Sequence, residues 1–237
     1  GHVVAYEALM RPQLPTLRSP LTVMQLASEM GRLYDIEKLT FFRACECYEE
    51  LEAAGKLDAD ALIFVNSIAS VSLSDEDWAS YCEAHSAILP KLVVEITEEE
   101  EMNERELERK RNVPGATGVF ALDDYGSGYS NGNSLLTVAP KYVKVDIAII
   151  QGIDTDADKQ QFLRALIDYA HPRGVQVLAE GVETLSELRK VLEMGVDLLQ
   201  GYCLAPPAAE PGAIGKKAAE VIAEVERRKA EREEAGS

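Results

Sequence analysis

The 237-residue sequence lacks several features that mark other classes of protein. Basic side chains are scarce: 24 lysines and arginines stand against 41 aspartates and glutamates, for a formal net charge of −17. Binding to nucleic acid or to an anionic membrane surface needs basic patches, so we expect neither a nucleic-acid polymer nor a membrane as a partner. The sequence also lacks a recognisable signal peptide and any apolar run near the ~20 residues that span a bilayer. A cytoplasmic protein, or the cytoplasmic portion of a larger one, is the prediction.

Cysteine and histidine are equally scarce. None of the four cysteines has CxxC spacing, and we predict all of them to be reduced packing residues: Cys45, Cys47, Cys82 and Cys203. Zinc sites favour cysteine and histidine ligands. The three histidines lie away from the predicted strand ends, and His171, just before Pro172, is interpreted as structural or exposed. A zinc site is therefore not expected.

The sequence does contain short apolar strands that alternate with helical patterns, which indicates parallel βα units. Seven strands are predicted, at residues 3–6, 61–65, 92–94, 116–121, 142–146, 175–179 and 196–199. Helices are predicted near 21–30, 36–54, after Ser74, and at 99–111, 157–170, 184–194 and 216–234. A chain of this length fits one barrel domain. We predict an α/β fold, a (β/α)8 TIM-type barrel whose eighth strand is expected before Gly1.

Each predicted strand carries a polar residue at or near its end: Glu7, Asn66, Glu95, Asp123, Lys144, Glu180 and Gln200. Active sites of such barrels are built from the carboxyl ends of several strands. Carboxylates with an amide oxygen suit Mg²⁺ or Mn²⁺. Two ions bridged by an aspartate would suit phosphodiester hydrolysis, in which one activates water and both stabilise the developing charge.

Two of these positions have simpler interpretations, which the sequence leaves open. Asp123 and Asp124 repel each other unless a cation lies between them, but an exposed Asp-Asp turn is also common. Lys144 could orient the nucleophilic water or stabilise the phosphate, or it could pair structurally with Asp146. The glutamate run 98–101 is interpreted as a helix N-terminus rather than a metal cage, although Glu98 could be an exception because it lies so close to Glu95.

From residue 3 to about residue 207 the chain resembles the EAL family of cyclic di-GMP phosphodiesterases. The resemblance rests on several motifs in order, namely Glu7-Ala8-Leu9, Asn66, Glu95-Ile96-Thr97-Glu98, Asp123-Asp124-Tyr125-Gly126-Ser127-Gly128-Tyr129-Ser130, Lys144-Val145-Asp146, Glu180-Gly181-Val182-Glu183-Thr184 and Gln200-Gly201-Tyr202. It implies hydrolysis of cyclic di-GMP to linear pGpG with Mg²⁺ or Mn²⁺, two ions per site, and inhibition by Ca²⁺. The implied barrel has an antiparallel first strand, which the sequence lacks.

The resemblance also implies residue roles. Metal ligands would be Glu7, Asn66, Glu95, Asp123 and Asp124, and the catalytic residues Glu7, Lys144 and Glu180, with Glu180 as general base. Substrate contacts would come from Arg11, Asp146, Glu183 and Gln200. Glu98 would anchor the loop after Asp124, a loop that couples dimerisation to activity. No ligand is replaced, although Tyr125 stands where phenylalanine is usual.

Three expectations complete the sequence-based picture. Residues 1–207 form the catalytic barrel, and residues 208–237 form a charged helix that packs on it and frays into a tail or linker. A homodimer is expected, with a possible fused sensory or cyclase domain. The alternative to an active enzyme is a catalytically silent cyclic di-GMP receptor or scaffold that acts through protein partners. Because every ligand type is present, the enzyme is the leading hypothesis.

Overall fold

A computed structural model of the chain describes residues 1–14, 16–58, 60–97, 104–127 and 133–236. The chain divides into two compact units. The N-terminal unit comprises Val3–Ala121 and Gly132–Ala139, and the C-terminal unit comprises Gly1–His2, Leu122–Asn131 and Pro140–Ser237. Among the described residues, no helix combines the length and the apolar character needed to cross a membrane.

The N-terminal unit contains three adjacent parallel strands, β1 (Ala5–Ala8), β2 (Leu62–Asn66) and β3 (Leu92–Thr97). Its helices are α1 (Pro20–Glu29), α2 (Leu33–Ala53), α3 (Asp75–Ala84), α4 (Glu104–Arg111) and α5 (Asn133–Val138). The β3 sequence Leu-Val-Val-Glu-Ile is buried throughout, as expected for a parallel strand covered on both faces.

An aromatic cluster fixes α2 against α3. The ring of Phe41 meets those of Trp78 and Tyr81 edge to face, at centroid distances of 5.3 and 5.7 Å. Such pairs stabilise by about 0.5–1.5 kcal/mol beyond their buried area. The Ser74 hydroxyl caps α3 by accepting a hydrogen bond from the Asp77 amide at 3.1 Å, as the spacing in the sequence indicates.

A buried ion pair lies beneath the end of β2. Lys110 of α4 pairs with Glu37 of α2, and both side chains are essentially inaccessible, at 0% and 1% exposure. The Glu37 carboxylate also accepts hydrogen bonds from the Ser67 hydroxyl at 2.7 Å and the Ile68 amide at 2.9 Å. The Lys110 ammonium donates to the Ser67 hydroxyl at 2.6 Å. Two helices are thereby tied to the residues that directly follow Asn66.

The C-terminal unit contains the adjacent parallel strands β5 (Tyr142–Val145), β6 (Gln176–Ala179) and β7 (Leu198–Leu199). They are preceded by β4 (Val119–Tyr125), whose residues from Leu122 onward belong to this unit. Its helices are α6 (Ile147–Ile150), α7 (Ala157–Ala170), α8 (Leu185–Met194) and α9 (Lys216–Gly236).

The long helix α9 packs against α8. Its first turns bury Ala218, Val221, Ile222 and Val225, and the guanidinium of Arg189 on α8 bonds Glu224 at 2.7 Å. Glu224 also pairs with Arg228 at 2.6 Å, the surface pair that their spacing predicts. Beyond this point the described side chains of α9 are exposed.

The predicted α/β order is confirmed, with seven strands among the described residues and parallel pairing in every pair named above. Strand β4 extends further than predicted, because the Asp146 amide bonds the Tyr125 carbonyl at 3.1 Å and so continues the ladder past Asp123 and Asp124. The short helices α5 and α6 were not predicted, since four to six residues are too few to show helical periodicity. The first part of the predicted helix 99–111 lies outside the described residues.

Candidate metal and catalytic site

The N-terminal unit brings together three predicted ligands at the ends of β1, β2 and β3. Asn66 and Glu95 are register partners on neighbouring strands. The Asn66 side-chain nitrogen donates to Glu7 Oε1 and to Glu95 Oε2, each at 3.2 Å. Glu95 is only 1% exposed. One amide therefore holds two carboxylates at a fixed spacing, and all three side chains carry the oxygen atoms that hard cations prefer.

The C-terminal unit brings together four more of the predicted site residues, Asp123, Asp124, Lys144 and Glu180. The Lys144 ammonium lies 2.9 Å from Asp123 Oδ1 and 2.9 Å from Glu180 Oε1. Lys144 and Asp123 are buried, whereas Asp124 and Glu180 are partly exposed. Asp123, Asp124 and Glu180 each offer an oxygen within 4.8 Å of the others. This proximity argues against the exposed-turn interpretation of Asp123. The ion pairs of Lys144 are with Asp123 and Glu180, whereas the Asp146 carboxylate accepts from the Ala148 amide.

Asp124 has a left-handed backbone, with φ of 54°. Aspartate tolerates this conformation better than most residues, and such strained positions concentrate at functional sites. The turn that follows is closed by the Ser127 amide, which donates to the Asp124 carbonyl at 3.2 Å. Tyr125, where the family usually has phenylalanine, keeps an aromatic contact with Phe162 at 6.2 Å between ring centroids.

Glycines allow the loop after β6 to approach its neighbours closely. A Cβ on Gly181, whose φ is 62°, would lie 2.3 Å from Ile147 Cγ1 on α6. A Cβ on Gly201 would lie 2.3 Å from the Val182 backbone nitrogen. The Val182 amide donates to the Gln200 carbonyl at 3.0 Å, so the segments after β6 and β7 are joined through their backbones. Any larger residue at either glycine would displace the segment that carries Glu180.

The sequence argument missed Glu187, a buried carboxylate in the first turn of α8. Its side chain accepts hydrogen bonds from the backbone amides of Gly152, Glu183 and Thr184 at 2.8, 3.1 and 2.9 Å. The signal was available, because Thr184-x-x-Glu187 before an apolar run is the spacing of a capping box, and both halves of the box are present. The sequence could not show the third contact, to Gly152.

The remaining predicted site residues are less closely gathered. Arg11 is exposed, and its guanidinium bonds the neighbouring Met10 carbonyl at 2.9 Å. The Asp146 carboxylate caps α6 by accepting from the Ala148 amide at 2.7 Å. Glu183 is exposed and Gln200 is half-buried directly after β7. Glu98 lies outside the described residues.

The donor set of the C-terminal unit fits a divalent cation. Three carboxylate oxygens converge within 4.8 Å, and no histidine or cysteine belongs to the group. Oxygen-only sets favour Mg²⁺, Mn²⁺ or Ca²⁺ over zinc. The Asn66 cluster offers the same chemistry. Both clusters therefore have the composition that the sequence predicts for a metal site.

Comparison with protein families identifies the EAL domain, whose family model matches residues 1–207. One relative is the probable cyclic di-GMP phosphodiesterase PdeG of Escherichia coli, 26% identical over 80% of this chain and 38% of its own length. Another is the cyclic di-GMP phosphodiesterase NbdA of Pseudomonas aeruginosa, 30% identical over 87% of this chain and 27% of its own length. The chain thus spans well under half of these curated relatives.

Solved structures agree with the fold. The phosphodiesterase PaMucR in complex with cyclic di-GMP aligns with a TM-score of 0.73 at 25% identity, covering 87% of this chain and 86% of that one. A standalone EAL protein of Vibrio cholerae, also bound to cyclic di-GMP, aligns with a TM-score of 0.74 at 24% identity, over 91% and 90%. Klebsiella pneumoniae BlrP1, as a calcium and cyclic di-GMP complex, gives 0.72 at 26% identity, over 90% and 54%. These likenesses confirm the predicted fold class.

Proposed function

The chain belongs to the EAL domain family, and we propose that it is a metal-dependent phosphodiesterase that hydrolyses cyclic di-GMP to linear pGpG. The observation that supports this most directly is the position of Lys144, whose ammonium lies 2.9 Å from both Asp123 and Glu180. A buried lysine beside a metal-type carboxylate and a second, partly exposed carboxylate suits activation of water next to a phosphate.

The proposed metal ligands are Glu7, Asn66, Glu95, Asp123 and Asp124. Bound Mg²⁺ or Mn²⁺ would supply Lewis-acid stabilisation of phosphate charge and a more acidic water. Glu180 accepts a proton from the attacking water as it adds to phosphorus. The bond from phosphorus to the 3′ oxygen then breaks, and that oxygen takes up a proton from solvent. Lys144 keeps Glu180 oriented and offsets the negative charge of Asp123.

The other roles follow the family resemblance. Arg11, Asp146, Glu183 and Gln200 contact the substrate. We propose that the protein acts in the cytoplasm as a homodimer, and that residues 208–237 form an appendage to the catalytic domain of residues 1–207. Ca²⁺ would compete for the oxygen ligands without supporting turnover.

The test is turnover of cyclic di-GMP with Mg²⁺, Mn²⁺ or Ca²⁺, with pGpG followed by chromatography. We expect product with Mg²⁺ or Mn²⁺ and none with Ca²⁺. Glu7→Ala should abolish turnover. Lys144→Met should lower kcat by about 10²–10⁴-fold, the contribution of general acid–base catalysis, because Glu180 loses the contact that orients it as the base. Both variants should keep the fold. Lys141→Met is the matched control, because Lys141 is exposed and donates only to the Gly174 carbonyl at 2.8 Å among its recorded bonds.

The outcomes separate the two functional hypotheses. Micromolar binding of cyclic di-GMP without product would overturn the hypothesis of an active enzyme and support that of a catalytically silent receptor. Neither binding nor product would overturn both. If the Lys144→Met protein unfolds, as judged by circular dichroism, the lysine has the structural role that the sequence left open.

A further inference from the structure

Glu187 is buried in the first turn of α8, and the proposed reaction does not use it. Glu187 is only 5% exposed to solvent. One oxygen accepts from the Gly152 amide at 2.8 Å, and the other from the Thr184 and Glu183 amides at 2.9 and 3.1 Å. Although burial raises the pKa of this carboxyl, the three backbone donors together lower it below the ordinary value. The group is therefore an ionised carboxylate that makes three charge-assisted hydrogen bonds.

These bonds exceed what a helix cap requires. In a capping box, the glutamate side chain needs to accept only one hydrogen bond, from the backbone amide of the N-cap residue, here Thr184. The bond to Gly152 spans 35 residues of sequence and reaches the segment that follows α6. That segment continues from β5, which carries Lys144, whereas Glu183 and Thr184 continue from β6, after which Glu180 stands. One carboxylate thus joins the chain beyond Lys144 to the chain beyond Glu180.

The same two segments touch at a second point. Gly181 approaches Ile147 so closely that a Cβ would lie 2.3 Å from the isoleucine Cγ1. The 2.9 Å contact between Lys144 and Glu180 depends on how these segments are placed, since each residue lies near the point where its strand ends. A shift of about 1 Å at a reacting group can lower a rate by as much as 10²-fold.

We propose that Glu187 is a positioning residue that aligns the segments carrying Lys144 and Glu180. The inference rests on the proposed function for its catalytic consequence, but its structural consequence concerns the carboxylate cluster of Asp123, Asp124 and Glu180 directly. Glu187 acts through the backbone and touches neither substrate nor the reacting atoms.

Glu187→Gln is the sharpest perturbation, because it keeps the size and shape of the side chain. Glutamine has one acceptor oxygen, so it can serve Gly152 or the pair Glu183 and Thr184, but not both. At the position of the second carboxylate oxygen, the glutamine NH₂ group would face a backbone N–H, and two donors cannot form a hydrogen bond with each other. We expect kcat to fall about 10–100-fold, the range seen when contacts that support a metal site from outside are removed, because Glu180 offers an oxygen within 4.8 Å of those of the proposed ligands Asp123 and Asp124. The KM for cyclic di-GMP should change less than kcat, and Mn²⁺ affinity by calorimetry should fall with kcat.

Ser74→Ala is the matched control, because it removes the cap of α3 in the N-terminal unit. Loss of a cap alone costs about 1 kcal/mol, so its melting temperature should fall while kcat and Mn²⁺ affinity stay at wild-type values. If Glu187→Gln behaves like Ser74→Ala, Glu187 is only a cap and the inference is wrong. If wild type shows no turnover, the proposed function fails. Mn²⁺ affinity then decides the positioning role, with an unchanged value overturning it.

Discussion

Replacing Lys110 with methionine removes one half of the buried ion pair beneath β2 while preserving most of the side-chain volume. The Glu37 carboxylate, 1% exposed, would then be buried, and its donors among the described residues would be the Ser67 hydroxyl and the Ile68 amide. Breaking a buried pair in this way costs about 3–5 kcal/mol. Because two donors remain, we expect about 3 kcal/mol, at the lower end of that range. For a chain of this size that corresponds to a melting temperature lower by about 6–12 °C.

The double variant Glu37→Gln and Lys110→Met tests the reasoning. Its glutamine carbonyl can still accept from the Ile68 amide, and neither charge of the Glu37–Lys110 pair remains. Replacing both partners by neutral groups is often neutral or stabilising. The double variant should therefore unfold within about 1 kcal/mol of wild type, so the two single losses should not add.

Urea unfolding followed by circular dichroism gives the free energy of unfolding of wild type, Glu37→Gln, Lys110→Met and the double variant. Lys38→Met is the matched control, because Lys38 neighbours Glu37 on α2 but is 45% exposed and pairs with Asp77 near the surface. Its unfolding midpoint should stay close to that of wild type. The argument fails if Lys110→Met unfolds like the control, or if the double variant loses the sum of both single losses.

Three further predictions concern other parts of the chain. Burial raises the pKa of the Cys45 thiol to about 11. Iodoacetamide at pH 8 should therefore label the exposed Cys47 first and Cys45 only when the protein unfolds, and labelling of Cys45 in the folded protein would contradict this. Ile222→Ala should cost about 2–5 kcal/mol by opening a cavity between α9 and the body of its unit, whereas exposed Glu220→Ala should leave the melting temperature unchanged. Because folding lowers the pKa of Glu187, its stabilisation is present above the ordinary value of about 4.5 and disappears as the pH falls through the folded pKa. The gap in unfolding free energy between wild type and Glu187→Gln should therefore narrow below pH 4.5, and a constant gap would refute this.

Much of the fold could be predicted from the sequence because parallel βα units repeat one simple pattern. A short apolar strand such as β5 is recognisable from Tyr142-Val143 and the polar residue that follows, and α8 from its capping box and closing Gly195. The short helix α6 could not be predicted from its apolar residues, since Ile147–Ile150 looks like a buried strand as much as a helix. What decides the matter is Asp146, whose side chain caps the first turn.

The candidate site divides in the same way. Asn66, Glu95 and Lys144 could be predicted because they interrupt or close apolar strands, where a polar side chain is costly unless it has a purpose. Their partners could not be assigned: the sequence offered Asp146 as a structural partner of Lys144, and the structure shows Asp123 and Glu180. Pairing depends on which strands lie side by side, and local patterns do not contain that information.

The residues that the sequence concealed have one property in common. Glu37 and Glu187 are helix-borne carboxylates, each almost fully buried, and each accepts backbone hydrogen bonds from residues just beyond a strand whose end carries a proposed site residue. In a chain with 41 acidic residues nothing in the spacing of Glu37 sets it apart from exposed glutamates. The spacing of Glu187 indicates a capping box, but it does not reveal the burial of the side chain or its bond to Gly152. A buried carboxylate needs several donors, and the unpaired amides after a strand end supply them. The same hydrogen bonds therefore satisfy the buried carboxylates and hold the segments that carry the proposed site residues. Substitution of Glu37 or Glu187 should lower stability or activity more than substitution of their solvent-facing neighbours.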